Sequence, residues 1–318
     1  MRDRRSNLED AERRLFDRYD VAVETREAWL VDPPLRVRVL EAGAGAALVL
    51  IHGSGMVAST WAPLMPHLAG RRLLAVDLPG FGLSDSYDYS GRTLRRHAVA
   101  QLRSLLDALE LAQADLLGTS LGAMWALNLA QAHPERVRSV VSIGVPAVAL
   151  PGIHGDPFFT LVSTPGIGAL AVRVRPPTTG IARRAFAGVL GDSALERTPD
   201  EWFEVTRRGM RVRGWPGAMR SHMLLAMRRG RPRPENFFSD DELRRLEAPV
   251  LFIWGADDVY GAPEMGRRAV ELMPNARLEV VPGNHAPFLD DPERCGGLVG
   301  DFLGVAPPDR RNQARRLD

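Results

Sequence analysis

Short apolar runs separated by helical stretches constrain this chain more than any other feature. The runs are continuous rather than alternating, as expected for strands that are buried on both faces of a parallel sheet. They lie at 47–51, 73–76, 115–117, 139–143 and 250–254, with a sixth candidate at 278–281. A helix with one apolar stripe, 94–109, separates the second run from the third. The pattern predicts an α/β fold with a mostly parallel, doubly wound sheet.

The segments outside these runs complete the predicted organisation. Residues 8–19 read as a charged amphipathic helix, and alternation on both sides of Asp32-Pro33-Pro34 predicts an antiparallel hairpin at a sheet edge. Between 143 and 249 the pattern stops for about a hundred residues, too long for a structureless loop. Helical periodicity at about 201–229 indicates a mostly helical lid. The predicted parts are core 1–145, lid 146–246, core 247–305 and a C-terminal tail 306–318.

Composition excludes several classes of protein. The 318 residues are 45% hydrophobic and 25% charged, which is typical of an ordinary globular protein. A net charge of +2 argues against a nucleic-acid partner, and Cys295, the single cysteine, excludes an internal disulfide or a cysteine-built metal site. No signal peptide or membrane-spanning run of about 18 apolar residues is evident. We expect a cytoplasmic protein without a membrane partner, its oligomeric state open.

A candidate nucleophile follows the third apolar run. Gly118-Thr119-Ser120-Leu121-Gly122 stands between a strand-like and a helix-like segment, the context in which a Gly-x-Ser-x-Gly turn exposes its serine above a sheet. The hydroxyl of Ser120 would then lie at a helix N-terminus, where negative charge is favoured. The alternative is a helix N-cap, since Thr119 and Ser120 are both good capping residues.

A candidate base and a candidate acid each follow a later strand. His285 stands after 278–281 in Gly283-Asn284-His285, on the kind of loop where open α/β sheets carry their sites. His52 reads as a loop-fixing residue, while His154 and His222 fall in the lid. The acid that orients the histidine is Asp257 or Asp258, just beyond 250–254. The order Ser, Asp, His is the one that this kind of fold imposes.

With these motifs the chain resembles the α/β-hydrolase family from about residue 21 to 303. The matching stretches are 48–55, 76–85, the serine turn, 255–258 and 283–285. The resemblance implies Asp258 rather than Asp257 as the acid. It also implies an oxyanion hole built from the backbone N–H groups of Ser54 and Leu121. No metal or cofactor is implied, because such a triad activates its own nucleophile.

The resulting expectation is a serine hydrolase that cleaves an ester or related acyl bond of a small, largely apolar molecule through an acyl-enzyme. One alternative is a hydrolase of carbon–carbon bonds in ring-fission products, which His52-Gly53-Ser54-Gly55 followed by Trp61 resembles. Those enzymes usually have Pro-Gly in place of Met56-Val57 and Arg in place of Val259. Cofactor-free haloperoxidases or perhydrolases, and non-catalytic ligand-binding members of the family, are further alternatives.

Several large apolar side chains are candidates to line the substrate pocket. The predicted set is Trp61, Phe158, Phe159, Met210, Met223 and Met227. Each could equally belong to a hydrophobic core. An arginine from the lid run Arg228, Arg229, Arg231 and Arg233 could bind a substrate carboxylate. These residues predict a preference for medium-sized, largely apolar acyl substrates over long-chain lipids.

Overall fold

The computed structural model describes residues 4–304, so the predicted tail at 306–318 lies outside the described residues. The strands are β1 Glu24–Val31, β2 Pro34–Ala42, β3 Ala46–Ile51, β4 Arg71–Val76, β5 Ala114–Thr119, β6 Val137–Ile143, β7 Met227–Arg228, β8 Arg231–Pro232, β9 Val250–Gly255 and β10 Ala276–Val281. The helices are α1 Arg4–Arg18, α2 Leu94–Ala108, α3 Leu121–Ala132, α4 Pro157–Val162, α5 Ile167–Ala171, α6 Thr179–Arg197, α7 Asp200–Gly209, α8 Trp215–Ala226, α9 Asp240–Arg244, α10 Pro263–Leu272, α11 Pro287–Asp290 and α12 Pro292–Leu303.

Eight strands form one sheet in the order β1-β2-β4-β3-β5-β6-β9-β10. β1 pairs antiparallel with β2, and β2 pairs antiparallel with β4, which gives the hairpin predicted at the edge. All other pairs in this sheet are parallel. Strands β3, β5, β6 and β9 are buried over most of their length, because neighbours flank them on both sides and helices cover the faces. The predicted fold class is confirmed.

A buried ion cluster fastens the N-terminal helix to this sheet. The guanidinium of Arg38, on β2, donates to both carboxylate oxygens of Glu12 on α1, at 2.7 Å each. It also donates to Oδ2 of Asp77, just past β4, at 2.7 Å. Burial alone would lower the pKa of Arg38, but the two carboxylates raise it by more, so the guanidinium stays charged. The helix α1 is thereby part of the folded core.

The segment between β6 and β9, residues 144–249, contains helices α4 to α9 and the short β7–β8 ribbon. The periodicity predicted for 201–229 corresponds to two helices, α7 and α8, separated at Gly214. We call residues 144–249 the inserted segment. Its helix α7 packs against α1, and α6 packs against α11, the short helix after β10. Among residues 4–304, no helix is long and apolar enough to span a membrane.

Candidate active site

Ser120 lies at a sharp turn between β5 and α3. Its backbone has φ 51° and ψ −114°, a conformation that non-glycine residues rarely adopt and that stores strain. The glycines on both sides are required by space: a Cβ at Gly118 would lie 2.3 Å from the carbonyl carbon of Gly122. One at Gly122 would lie 2.0 Å from the carbonyl oxygen of Ile51. The turn therefore has the geometry that the sequence motif predicts.

His285 and Asp258 form a buried pair. Nδ1 of His285 lies 2.9 Å from Oδ2 and 3.1 Å from Oδ1 of Asp258. The carboxylate also accepts hydrogen bonds from the backbone N–H groups of Val145, at 2.9 Å, and Tyr260, at 3.0 Å. Because a carboxylate only accepts, Nδ1 of the imidazole carries the proton, and Nε2 is left with a lone pair. This is the tautomer that a general base requires.

Asp257 lies in a different environment from Asp258. Its side chain is exposed, whereas that of Asp258 is buried. Asp257 lines a second cavity, together with Gly283 and Asn284, and Ser120 and His285 do not line that cavity. Of the two candidate acids, the geometry therefore brings Asp258 to the histidine.

A cavity of about 420 Å³ is lined by both Ser120 and His285. One wall is the loop after β3, with Gly53, Ser54 and Gly55. The opposite wall is formed by apolar side chains of the inserted segment, namely Phe158, Phe159, Ile181, Phe186, Val189, Leu190, Met210 and Met219. The size and apolar character are typical of a small-molecule site.

Three of the six predicted pocket residues line this cavity, namely Phe158, Phe159 and Met210. Trp61, Met223 and Met227 do not line the cavity, so for these three residues the structure differs from the prediction. Trp61 is buried against the ring of Phe288, with centroids 5.0 Å apart. On α8, Trp215 and Met219 line the cavity. Met223, one further turn along, and Met227, beyond the helix end, are buried in the hydrophobic core.

The two backbone groups predicted for the oxyanion hole lie on either side of the serine turn. Ser54 lines the cavity. Leu121 begins α3, where the first N–H groups have no partner within the helix. His52 holds the Ser54 loop: Nδ1 donates to the Gly53 carbonyl at 2.8 Å, and Nε2 accepts from the Leu78 N–H at 3.1 Å. Burial lowers the pKa of His52, which keeps it neutral.

Tyr260 is a residue of the site that sequence reasoning missed. Its ring packs edge-on against the imidazole of His285, with centroids 4.5 Å apart, and it lines the cavity. Its hydroxyl donates at 2.7 Å to Oδ2 of Asp156, the N-cap of α4. The loop after β9 is thus tied to the inserted segment. Asp156 followed by Pro157 is an N-terminal helix signal that could have drawn attention to this contact.

Similarity to known proteins decides the family. The sequence model of the alpha/beta hydrolase family matches residues 48–296. The chain belongs to the alpha/beta hydrolase family. A 2-hydroxy-6-oxononadienedioate/2-hydroxy-6-oxononatrienedioate hydrolase from Paraburkholderia phymatum is 32% identical over 278 residues, 85% of this chain and 91% of that relative. Relatives of this alpha/beta hydrolase therefore include a hydrolase whose name specifies an unsaturated 2-hydroxy-6-oxo dicarboxylate.

Solved structures of other alpha/beta hydrolases share the fold. A carboxylesterase from Bacillus subtilis superposes with a TM-score of 0.73 at 20% identity, covering 94% of this chain and 98% of that structure. A 2-hydroxy-6-oxo-6-phenylhexa-2,4-dienoate hydrolase from Rhodococcus sp. strain RHA1 superposes with a TM-score of 0.71 at 22% identity, covering 89% and 100%. At these identities the likeness concerns the fold alone. A carboxylesterase and a 2-hydroxy-6-oxo-6-phenylhexa-2,4-dienoate hydrolase are thus built on this architecture.

Proposed function

We propose that this protein hydrolyses a carbon–carbon bond next to a ketone in a small, unsaturated hydroxy-keto acid. The observation that carries the proposal is the similarity, over 85% of the chain, to a 2-hydroxy-6-oxononadienedioate hydrolase. Ser120 and His285 line one apolar cavity, and His285 is paired with Asp258, which supports the proposal. The main expectation of the sequence analysis, ester hydrolysis, becomes the second candidate.

In the proposed reaction, Ser120 and His285 act on the ketone carbon. Nε2 of His285 accepts the proton of Ser120 as its oxygen adds to the ketone, while Asp258 stabilises the imidazolium. The substrate reacts as its diketo tautomer, in which the carbon next to the ketone is saturated. When the bond to this carbon breaks, its electron pair is delocalised onto the second carbonyl as a dienolate, which takes the proton that the imidazolium returns. Water, activated by the same imidazole, releases the acyl group as a carboxylic acid. The other product is a hydroxydienoate.

The backbone N–H groups of Ser54 and Leu121 are proposed to stabilise the oxyanion in this reaction. A donor aimed at the charge that develops on the attacked oxygen contributes about 2.7–4 kcal/mol to the transition state. Leu121 supplies a helix N-terminus, where the aligned backbone dipoles favour negative charge. His52 fixes the loop that carries Ser54, so both donors are held in place before substrate binds.

The lining of the cavity also supports the proposal. Its walls are apolar apart from a few groups, and Arg175, on the loop before α6, lines it as a cation that can pair with a substrate carboxylate. This arginine lies elsewhere in the inserted segment than the run 228–233 considered from the sequence. We propose that the inserted segment acts as the lid, since its apolar side chains line the cavity that contains Ser120 and His285.

Ester hydrolysis is favoured by two departures from the carbon–carbon hydrolases. Met56-Val57 stands where those enzymes usually have Pro-Gly, and Val259 stands where they usually have Arg. In the structure Met56 lines the cavity, and Val259 is largely exposed with its N–H bound to Oδ1 of Asn284. The same catalytic groups would then form an acyl-enzyme from a medium-sized apolar ester.

One substrate panel distinguishes the two candidates. The purified protein is assayed with 2-hydroxy-6-oxo-6-phenylhexa-2,4-dienoate, through the loss of its dienolate absorbance, and with 4-nitrophenyl esters from acetate to palmitate. A kcat/KM for the dienoate at least tenfold above that of every ester supports carbon–carbon hydrolysis. Best turnover of a butanoate or hexanoate ester moves the assignment to the second candidate. No turnover of either class overturns both.

A further inference from the structure

Helix α8 of the inserted segment is hydrogen-bonded to the cavity loop after β3 at two points. The indole Nε1–H of Trp215 donates to the carbonyl of Gly55 at 2.9 Å. About two turns further along the helix, Nε2 of His222 lies 3.2 Å from the hydroxyl oxygen of Ser54. The loop also passes beside Ser120, since a Cβ at Gly53 would lie 3.4 Å from Cβ of Ser120. Ser54 is therefore held next to the proposed nucleophile.

The direction of the bond between Ser54 and His222 follows from the surroundings of the imidazole. Nδ1 of His222 lies 2.9 Å from the carbonyl oxygen of Ala218, which can only accept, so Nδ1 carries a proton. Burial lowers the pKa of His222 to about 4, so the ring carries only that one proton at neutral pH. Nε2 is then an acceptor, and the Ser54 hydroxyl must donate to it.

This direction decides what Ser54 can offer a ligand. A hydroxyl has one hydrogen and two lone pairs. With its hydrogen committed to His222, Ser54 presents only lone pairs, so a group of the substrate that hydrogen-bonds to its oxygen must be a donor. The His222 ring cannot readily turn to change this, because it is fully buried and packs edge-on against Phe81 and Tyr89, with centroids 5.7 and 5.9 Å away.

We propose that Ser54 selects substrates that carry a hydroxyl group close to the attacked carbonyl, and that His222 is the positioning residue that makes Ser54 an acceptor. The proposal deepens the second candidate, ester hydrolysis, and rests on it for the place of the reacting carbonyl. It also assigns different roles to the two polar groups of Ser54. The backbone N–H faces the oxyanion, while the side-chain oxygen receives a substrate hydroxyl, an enol or an alcohol.

The test measures binding rather than turnover. Ser120→Ala protein is titrated calorimetrically with the 4-nitrophenyl esters of 2-hydroxybutanoate, 3-hydroxybutanoate and their two O-methyl ethers. An O-methyl ether keeps the oxygen but has lost the donor. One neutral hydrogen bond corresponds to about a three- to tenfold change in affinity. We expect at least one hydroxy ester to bind more tightly than its ether by this factor.

Further variants in the same background separate recognition from bulk and from folding. Adding Ser54→Ala should remove the hydrogen-bond contribution to the hydroxy-to-methoxy ratio of affinities, so the ratio that remains measures steric effects alone. Adding His222→Phe keeps an aromatic ring but frees the Ser54 hydrogen, which can then also bind the ether oxygen, so the ratio should fall toward that of Ser54→Ala. His222→Gln, whose amide oxygen can accept again, should restore the larger ratio.

The outcomes are distinguishable from failure of the proposed function. A hydroxy preference that Ser54→Ala removes supports the proposal even where the wild-type protein hydrolyses neither dienoate nor ester. Equal affinities for hydroxy esters and ethers, including no measurable binding of any of the four, overturn it. So does a preference that persists unchanged in Ser54→Ala, or one that both His222 variants leave as it was.

Discussion

The backbone N–H of Val145 donates a 2.9 Å hydrogen bond to Oδ2 of Asp258, which joins the end of β6 to the loop after β9. These two strands are neighbours in the sheet, so their carboxyl ends lie side by side. This hydrogen bond helps to hold the carboxylate of Asp258 in the orientation in which its oxygens face Nδ1 of His285. Gly144, one residue earlier, gives the histidine loop its space: a Cβ there would lie 2.3 Å from the carbonyl oxygen of His285.

The two neighbouring aspartates should therefore respond differently to the same substitution. Asp258→Asn should lower kcat by about 10⁴, because an amide in place of the carboxylate no longer favours the catalytic tautomer of His285. Asp257→Asn is the matched control, since its side chain is exposed, and should change kcat less than threefold, about 0.7 kcal/mol. Steady-state kinetics on the best substrate of the panel measures both. A larger loss in the Asp257 variant would contradict the assignment of the acid.

Ser120→Ala should remove nearly all activity. On the pattern of other triads, we expect kcat to fall by about 10⁴–10⁶ while the circular dichroism spectrum is unchanged. A fluorophosphonate probe should label the wild-type protein at Ser120, identified by peptide mass spectrometry. Ser90→Ala, which removes an exposed hydroxyl outside the cavity, is the control and should label and turn over normally. Residual activity above one per cent, or a label on another serine, would refute Ser120 as nucleophile.

The depressed pKa of His222 predicts a loss of stability in mild acid. Its pKa is lowered to about 4 by burial, with a smaller contribution from His52 nearby, against 6.5 when unfolded. The unfolded state therefore binds the extra proton first. The contribution of His222 to the free energy of unfolding is complete above pH 6.5 and is lost as the pH falls toward 4. Its size is about 3 kcal/mol.

Urea unfolding between pH 7.5 and 4.5 measures this effect. The free energy of unfolding of the wild type should fall with pH more steeply than that of His222→Phe, which has no proton to bind at this position. His133→Phe is the control, because the imidazole of His133 lies near the surface beside Glu135. Parallel curves for the wild type and His222→Phe would show that His222 does not contribute this pH dependence.

The buried ion cluster should be costly to break. Arg38→Met leaves Glu12 and Asp77 buried without their cation, and we expect a loss of about 3–5 kcal/mol in the free energy of unfolding. Arg26→Met, which removes an exposed partner of Glu41 at 2.8 Å, should cost less than about 1 kcal/mol. Urea titrations at pH 7 compare the two. Equal costs would mean that burial of the Arg38 cluster has no bearing on its energetics.

The sequence predicted the sheet well because its strands are local patterns. The runs at 47–51 and 139–143 differ from β3 and β6 by at most two residues at either end. The serine turn was predictable for a similar reason, since glycines at 118 and 122 reflect contacts that any side chain would break. Features that depend on few neighbouring residues can be read from the chain alone.

The walls of the cavity were harder to predict, because they depend on where each helix of the inserted segment lies relative to the sheet. Met219 and Met223 are both buried and lie on the same face of one helix, yet only Met219 lines the cavity. Both are apolar, so periodicity cannot tell which of them meets the site. The contact between His222 and Ser54 joins positions 168 residues apart, and no local pattern reports a pairing at that distance.

The Arg38 cluster also bears on how this protein can be shortened. The match to the family begins at residue 48, after α1, β1 and β2 have already contributed Glu12 and Arg38 to the core. A truncated chain that starts at this boundary would lack β2 and so expose the edge of β4. Asp77 would lose its cation and remain a buried charge, with a hydrogen bond from the backbone N–H of Ala58 at 2.7 Å. The segment that the family model matches is therefore smaller than the unit that folds, and expression of this enzyme should keep its first forty-seven residues.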